Sequence, residues 1–171
     1  MIIKGRVLKY EGPEADNINT DMIWPGSLTY HKVSQEDMRS MVMNRYDSSF
    51  QEKSKGANIL AVGYNFGCGS SREQPAYALK YSGIEAIISP QFARIFERNA
   101  LAAGIAAITS KELYECMSTG DESMIDLELG IAVTKDYHKR FEYDNMDAWQ
   151  VQMGGLIELL AYEIITSTNN N

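Results

Sequence analysis

A short stretch near the middle of the chain, residues 64–74 (YNFGCGSSREQ), contains the side chains best suited to chemistry. Gly67 and Gly69 allow the backbone to bend tightly and to approach a ligand without an intervening Cβ. Two serine hydroxyls follow directly, and Arg72 adds a fork of donors that matches a carboxylate. The stretch therefore predicts a site for a small carboxylate anion, with the hydroxyl of Ser70 placed where its deprotonated form would be stabilised.

Better-known glycine motifs do not fit this stretch. A dinucleotide fingerprint would need glycine where Arg72 stands, the Walker pattern lacks its Gly-Lys-Ser/Thr ending, and a hydrolase nucleophile elbow fails at Glu73. A purely structural alternative stays open, since Ser71 with Gln74, or Ser70 with Glu73, has the spacing of a helix capping box. The stretch alone therefore does not decide between a site and a cap.

The composition restricts the class of protein. With 16 Lys+Arg against 23 Asp+Glu, the net charge of −7 argues against nucleic-acid or anionic-membrane partners, which require a basic face. No apolar stretch reaches the roughly 18–20 residues that cross a bilayer, and the first residues form no signal-peptide core, so we expect a cytoplasmic protein. A length of 171 residues suits one core, and we expect a single domain over residues 1–171.

Cysteine and histidine are scarce. Cys68 and Cys116 form no C-x-x-C pair, so neither a disulfide framework nor a thiolate metal site is expected. An iron–sulfur cluster takes about four cysteine ligands, more than this chain has. The histidines, His31 and His138, are too isolated for a metal centre, and a serine hydrolase that pairs His31 with Ser70 would lack the elbow spacing. We therefore expect this chain to bind no metal itself.

Hydrophobic patterning places the site in an α/β fold. Apolar runs predict three buried strands, at 58–62, 85–88 and 104–109. Helical spacing predicts two helices between them, at 73–81 and 91–103. This β-α-β-α-β order implies parallel strands joined by right-handed crossovers. The glycine turn follows the first of these strands and precedes a helix expected to start near Arg72, which is where open α/β sheets place ligand sites.

Further elements are expected on both sides of this centre. Before it, we expect a strand at 2–9, a shaped loop at 16–26, a helix at 34–45 capped by Ser34, and a polar connection at 51–55. After it, we expect a helix at 111–117, strands at 126–134 and 137–143, a helical stretch at 147–165 weakened at Gly154-Gly155, and a polar tail at 166–171.

Three stretches resemble the signatures of a known family, the small subunits of aconitase-type hydro-lyases, which include those of the 3-isopropylmalate dehydratases. NINTDMIWPG at 17–26 is similar to the signature N-x-[DN]-T-D-x-I-x-P, and NFGCGSSRE at 65–73 is similar to N-F-G-x-G-S-S-R-E. SPQFARIFERN at 89–99 is similar to S-F-A-R-I-F-x-R-N. The order and spacing of the three agree with the family, whereas the carboxyl-terminal third agrees only loosely.

The resemblance implies a swivelling β/β/α domain, with central parallel strands and crossover helices, that docks on a large subunit carrying a [4Fe–4S] cluster. It implies that Ser70 is the proton-abstracting base, Arg72 the carboxylate clamp, and Ser71 a further substrate or backbone-amide contact. Asp21 matches the aspartate of the first signature, which lies near the active site and supports the loop after it, so the resemblance implies that Asp21 is a catalytic residue together with Ser70. Activity would require the large subunit, in a heterodimer or heterotetramer, because the cluster removes the substrate's hydroxyl group.

Two departures from the family pattern concern the substrate. Gln74 stands where many isopropylmalate enzymes have histidine, and the stretch from Gly26 lacks the common R-Y-L form. Leu28 and Tyr30 in this stretch suit an apolar pocket for an alkyl group, which favours isopropylmalate, a substrate of leucine biosynthesis, or a dimethyl- or methylmalate over a substrate with a third carboxylate. Small subunits of homoaconitase and of dimethylmalate or methylmalate/citraconate hydratases stay open as alternatives, as does a carboxylate-binding module without catalysis.

Overall fold

Seven strands form one mixed sheet in the computed structural model, which describes residues 1–168. The strands are β1 (Ile2–Lys9), β2 (Ala57–Ala61), β3 (Ala86–Ser89), β4 (Ala106–Thr109), β5 (Glu122–Asp126), β6 (Ile131–Val133) and β7 (His138–Arg140). Their order across the sheet is β4-β3-β2-β1-β5-β6-β7. Strands β1 to β4 are parallel to one another. On the edge of β1 opposite β2, strands β5, β6 and β7 follow in order, and each is antiparallel to the strand before it.

Helices connect and cover these strands. They are α1 (Thr20–Ile23), α2 (Gln35–Met41), α3 (Phe50–Lys53), α4 (Gln74–Tyr81), α5 (Arg94–Ala102), α6 (Lys111–Cys116), α7 (Asn145–Gln152) and α8 (Leu156–Thr168). Helix α4 connects β2 to β3, and α5 connects β3 to β4. The predicted β-α-β-α-β order with parallel strands is therefore confirmed.

Apolar side chains pack against both faces of the parallel strands. Along β2, Leu60 faces one core, whereas Ile59 and Ala61 face the other, and all three are fully buried. Successive strand residues point to opposite faces, so a strand covered on both sides reads as a continuous apolar run. Residues of α4 and α5 fill the first core, and residues of α6 and α7 fill the second. This two-sided burial explains why the central strands were recognisable in the sequence.

Local side-chain contacts set the helices before β2. Ser34 caps α2 as predicted, since its hydroxyl accepts a hydrogen bond from the N–H of Asp37 at 3.1 Å, but the helix already ends at Met41. One turn of helix, α3, occupies much of the predicted polar connection at 51–55. Phe50 at its start is 1% exposed, so burial of a single aromatic ring fixes this turn against the first core.

The single strand predicted at 126–134 is wrong. Strand β5 ends at Asp126, whose carboxylate accepts hydrogen bonds from the N–H groups of Glu128 and Leu129 at 3.0 and 3.2 Å. Gly130, with a φ of +60°, completes the reversal, and only Ile131–Val133 continues as β6. An aspartate that bonds the backbone ahead of it favours a turn. The apolar residues that suggested one strand therefore belong to the turn after β5 and to β6.

The helical stretch predicted at 147–165 forms two helices, α7 and α8. Gly154 and Gly155 separate them, with φ angles of +96° and +130° that other residues rarely adopt. Helix α8 continues to Thr168 and so includes the first residues of the polar tail predicted at 166–171. The rest of that predicted tail, 169–171, lies outside the described residues.

Gly67 lies where the turn after β2 meets the aromatic side chains of the first core. Its φ is +76°, and a Cβ added there would lie 2.1 Å from Cγ of Phe96. Phe96 is 1% exposed and packs edge-to-face on Phe66, with ring centroids 5.0 Å apart. The backbone angle and the packing therefore both require glycine at this position.

Replacing Gly67 with alanine should lower the free energy of unfolding by about 3 kcal/mol or more, because displacement of a buried ring adds to backbone strain. Gly56→Ala is the matched control, since Gly56 has a φ of +75° but a Cβ there would meet nothing within 4 Å. We expect the control to lose only about 1–2 kcal/mol. Urea unfolding of both variants measures the difference, and equal losses would contradict the packing argument.

Candidate functional site

Two loops that are far apart in the chain are hydrogen-bonded to each other beyond the carboxyl ends of β1 and β2. The first loop spans residues 16–24 and the second spans residues 63–70. Three main-chain hydrogen bonds of 2.8 Å join the loops. The N–H of Asn17 donates to the carbonyl oxygen of Tyr64, the N–H of Gly67 to that of Ile18, and the N–H of Thr20 to that of Cys68. The first two signature stretches therefore form one structural unit.

The first loop has its own internal support. The side chain of Asn19 caps α1, accepting hydrogen bonds from the N–H groups of Asp21 and Met22 at 3.0 Å. Ile23 and Trp24 are fully buried and fix the end of this short helix in the first core. Asp21 is left at the surface, with its side chain 52% exposed. The loop thus presents a carboxylate next to the second loop.

Ser70 lies at the exposed end of the second loop, and Ser71 beside it is exposed as well. The N–H of Ser70 donates to Oγ1 of Thr20 at 3.0 Å, and Thr20 is 2% exposed, so the backbone of Ser70 is anchored to the interior. Gly69, with a φ of +102°, supplies the bend before it. Within residues 1–168, no group hydrogen-bonds the hydroxyl of Ser70 or the N–H of Ser71. Both groups are therefore available to a ligand.

Helix α4 begins later than the start predicted near Arg72. Its N-cap is Glu73, which makes no side-chain capping bond, and Pro75 lies in the first turn, as predicted. Arg72 stays outside the helix because its carbonyl oxygen accepts a hydrogen bond from Nδ2 of Asn99 at 2.8 Å. The capping-box explanation of the two serines is therefore wrong, and they do not lie at the helix N-terminus.

Arg72 is largely enclosed, with 13% of its side chain exposed. Its Nη2 forms an ion pair with Oδ1 of Asp21, and its Nη1 donates to Oγ1 of Thr29 at 2.7 Å. Its Nε is buried and has no hydrogen-bond partner within the described chain. The structure thus brings together two predicted site residues, Asp21 and Arg72, that are separated by 51 positions.

The residues predicted to line an alkyl pocket lie on and after the turn Gly26–Leu28, which follows α1. Leu28 is half-buried against the first core, whereas Tyr30 is 97% exposed. A recess of about 860 Å³ between α5, β4 and α7 is lined by none of the predicted site residues. Ser70 therefore belongs to an open edge of the molecule and not to that recess.

The sequence reasoning missed three residues that position the site, namely Thr20, Thr29 and Asn99. Thr20 and Asn99 lie within the first and third signature stretches, so the motifs did contain a signal. Their side chains act on the backbone of Ser70 and Arg72, which is visible only once the loops are assembled. Thr29 lies outside every signature stretch, but it belongs to the stretch from Gly26, in which only its neighbours Leu28 and Tyr30 were singled out.

The described residues include no group of three or more His, Cys, Asp or Glu side chains arranged to hold a metal ion. Cys68 and Cys116 are free thiols, and Sγ of Cys68 donates to the carbonyl oxygen of Asn17 at 3.5 Å. His31 is exposed and forms no hydrogen bond with Ser70. In the same part of the chain, none of the helices combines the length and apolar character needed to cross a membrane.

The architecture defines an α/β domain with an open polar site beyond the carboxyl ends of parallel strands. A family model described as the aconitase C-terminal domain matches residues 11–113. The chain belongs to this family, and the resemblance carried by the three signature stretches is confirmed, as is the predicted swivelling-domain fold class.

Several named small subunits of isopropylmalate enzymes resemble the chain over most of its length. The 3-isopropylmalate dehydratase small subunit of Helicobacter hepaticus is 39% identical over 141 residues, which is 82% of each chain. The isopropylmalate/citramalate isomerase small subunit of Methanocaldococcus jannaschii is 43% identical over 75% of this chain and 74% of its own. A crystal structure of 3-isopropylmalate dehydratase from the same organism covers 100% of both chains, with a TM-score of 0.86 and 33% identity.

Gly26 is needed for the ion pair at the site, since a Cβ there would lie 2.6 Å from Oδ1 of Asp21 and 3.0 Å from Nη1 of Arg72. We expect Gly26→Ala to displace both side chains while lowering stability by only about 1 kcal/mol, because a partly exposed ion pair contributes little. A crystal structure of the variant, with its thermal unfolding, measures both effects. An ion pair left in place would contradict this interpretation.

Proposed function

We propose that the chain is the small subunit of a heteromeric 3-isopropylmalate dehydratase, a hydro-lyase that interconverts 2- and 3-isopropylmalate by dehydration and rehydration in leucine biosynthesis. Residues 1–171 act as one swivelling domain whose site is completed by a large subunit. One observation carries the proposal: Ser70 is exposed and its hydroxyl has no hydrogen-bond partner among the described residues, while its backbone N–H is anchored to Thr20 at 3.0 Å. A base that reaches a substrate held partly by another protein needs both rigidity and access.

In this proposal Ser70 removes a proton from the carbon next to a substrate carboxylate. A serine hydroxyl becomes an effective base only when its alkoxide is stabilised electrostatically. The N–H of Ser70 cannot contribute, because it is bonded to Thr20. The N–H of Ser71, free among the described residues, and the positive charge of Arg72 are the groups that this chain supplies. Ser71 therefore acts through its backbone amide, which is one of the two contacts that the resemblance implies for this residue.

Arg72 binds a substrate carboxylate in the same proposal. Each terminal nitrogen of a guanidinium carries two N–H groups, and Asp21 and Thr29 use one on each side. One N–H group on each terminal nitrogen is left for a ligand, and the N–H of Nε is buried without a partner in the described chain. Asp21 then serves as a positioning residue, since its carboxylate holds the guanidinium beside the second loop.

The [4Fe–4S] cluster belongs to the large subunit in this proposal. The described residues do not fit such a cluster, because they offer no set of three or more suitable side chains and the chain has only Cys68 and Cys116. When bound, the cluster supplies the Lewis acid that withdraws the substrate's hydroxyl group. The partners assemble as a heterodimer or heterotetramer. A cytoplasmic location is consistent with two free thiols.

Isopropylmalate is the substrate that we favour, because the apolar Leu28 and the aromatic Tyr30 lie on either side of Thr29, which accepts a hydrogen bond from Arg72. Tyr30 is exposed in the isolated chain, so its contribution to an alkyl pocket requires the assembled enzyme. A substrate screen with isopropylmalate, citramalate, homocitrate and dimethylmalate distinguishes this choice from the homoaconitase and dimethylmalate or methylmalate/citraconate hydratase alternatives. A carboxylate-binding module without catalysis would instead bind dicarboxylates in calorimetry and associate with no large subunit.

Ser70→Ala should abolish most of the activity of the enzyme assembled with its large subunit. Loss of the base is expected to lower kcat by about 10²–10⁴-fold, while the assembly and KM change little. The measurement is steady-state turnover of isopropylmalate by the co-expressed complex, together with its mass in solution.

Ser40→Ala is the matched control, because the Ser40 hydroxyl lies on α2 and only bonds the carbonyl oxygen of Asp37. The control complex should keep its normal turnover, and the small chain alone should show none. Near-normal turnover by the Ser70→Ala complex would remove the proposed role of Ser70.

A further inference from the structure

The hydroxyl of Thr29 forms two hydrogen bonds, one as a donor and one as an acceptor. It donates to the carbonyl oxygen of Gly26 at 2.8 Å, and it accepts from Nη1 of Arg72 at 2.7 Å. Because a hydroxyl has one proton, donating it to Gly26 turns a lone pair toward the guanidinium. The turn 26–29 and Arg72 are therefore joined through a single side chain.

The contact to Thr29 differs from the ion pair to Asp21 in how firmly it can be held. Asp21 is 52% exposed, so water competes for its carboxylate, and its bond to Arg72 leaves the guanidinium plane free to pivot. Thr29 is half-buried and contacts the other terminal nitrogen. Two contacts on different nitrogens fix the plane of a planar group, which one contact does not.

We propose that Thr29 is a positioning residue for carboxylate recognition: it fixes the plane of the Arg72 guanidinium and links that plane to the turn that precedes Tyr30. This inference rests on the proposed function, in which Arg72 binds a substrate carboxylate. Leu28 and Tyr30, which would face the alkyl group of the substrate, are the chain neighbours of Thr29. The contact between Thr29 and Arg72 therefore positions these two residues relative to the carboxylate site.

The test compares Thr29→Val with Thr29→Ser in the enzyme assembled with its large subunit. Valine keeps the shape and removes the hydroxyl, so KM for isopropylmalate should rise about tenfold, the effect of losing one hydrogen bond to a charged group. The charge of Arg72 stays near the site, so kcat should change by about twofold or less. Serine restores the hydroxyl and should restore KM.

Thr134→Val is the matched control. Thr134 is also half-buried, and its hydroxyl accepts hydrogen bonds from Asp136 and Tyr137 in the turn between β6 and β7, outside the site. This variant loses as many hydroxyl contacts as Thr29→Val and should leave both KM and kcat unchanged. A loss of kcat in Thr29→Val that serine does not rescue would indicate a general structural role and overturn the inference.

A double-mutant cycle with Arg72→Lys separates this inference from the proposed function. If Thr29 acts through Arg72, the double variant should bind substrate no more weakly than Arg72→Lys alone, whereas additive losses would overturn the inference. A normal KM in Arg72→Lys would contradict the proposed role of Arg72 itself. An impaired Arg72→Lys with a normal Thr29→Val would leave that role intact and reject only the role of Thr29.

Discussion

The hydrogen bonds between loops 16–24 and 63–70 are the constraint on which the site depends. Each main-chain bond contributes about 1 kcal/mol net, but leaving such a group buried and unpaired costs about 1–3 kcal/mol. Neither loop contains its own partners for these groups, so each loop requires the other. The same pairing places the Thr20 hydroxyl under the N–H of Ser70 and brings Asp21 to Arg72.

Arg72 extends this unit to the rest of the fold. Its side chain contacts Asp21 of the first loop and Thr29 of the following turn, and its backbone oxygen is bonded by Asn99 of α5. The ion pair itself is partly exposed and contributes little to stability, so its importance lies in orientation. Gly26 and Gly67 are fixed by close packing around the same unit, on Asp21 and Phe96 respectively. The chain thus fixes its polar groups before any partner binds.

Much of the fold could be predicted because its central strands are buried on both faces. The runs at 58–62, 85–88 and 104–109 are apolar except at their ends, because the interior of a strand covered on both faces takes apolar residues on either side. The predicted strand at 126–134 failed because a local bond of the Asp126 carboxylate competes with strand pairing. Glu122–Asp126 was not expected as a strand, because Ser123 is buried and Met124 is exposed, so the sequence lacks the apolar–polar alternation of a half-buried strand.

The candidate site was predictable in its residue types but not in its geometry. The sequence identified Ser70, Arg72 and Asp21 as a set, and the structure brings Asp21 to Arg72. It did not predict that Asn99 holds the Arg72 carbonyl and delays the start of α4, because that bond joins positions separated by 27 residues. The role of Thr29 could not be predicted either, because it depends on the contacts of its hydroxyl with the Gly26 carbonyl oxygen and with Nη1 of Arg72.

Amide hydrogen exchange of the Thr20, Gly67 and Ser70 N–H groups, measured by NMR on the intact chain, tests most directly whether the two loops form one unit. These amides donate across the loop pair. If the two loops form one cooperative unit, all three amides exchange slowly and with a common free energy of opening. Exchange of the Ser70 and Thr20 amides within about tenfold of an unstructured peptide would contradict it.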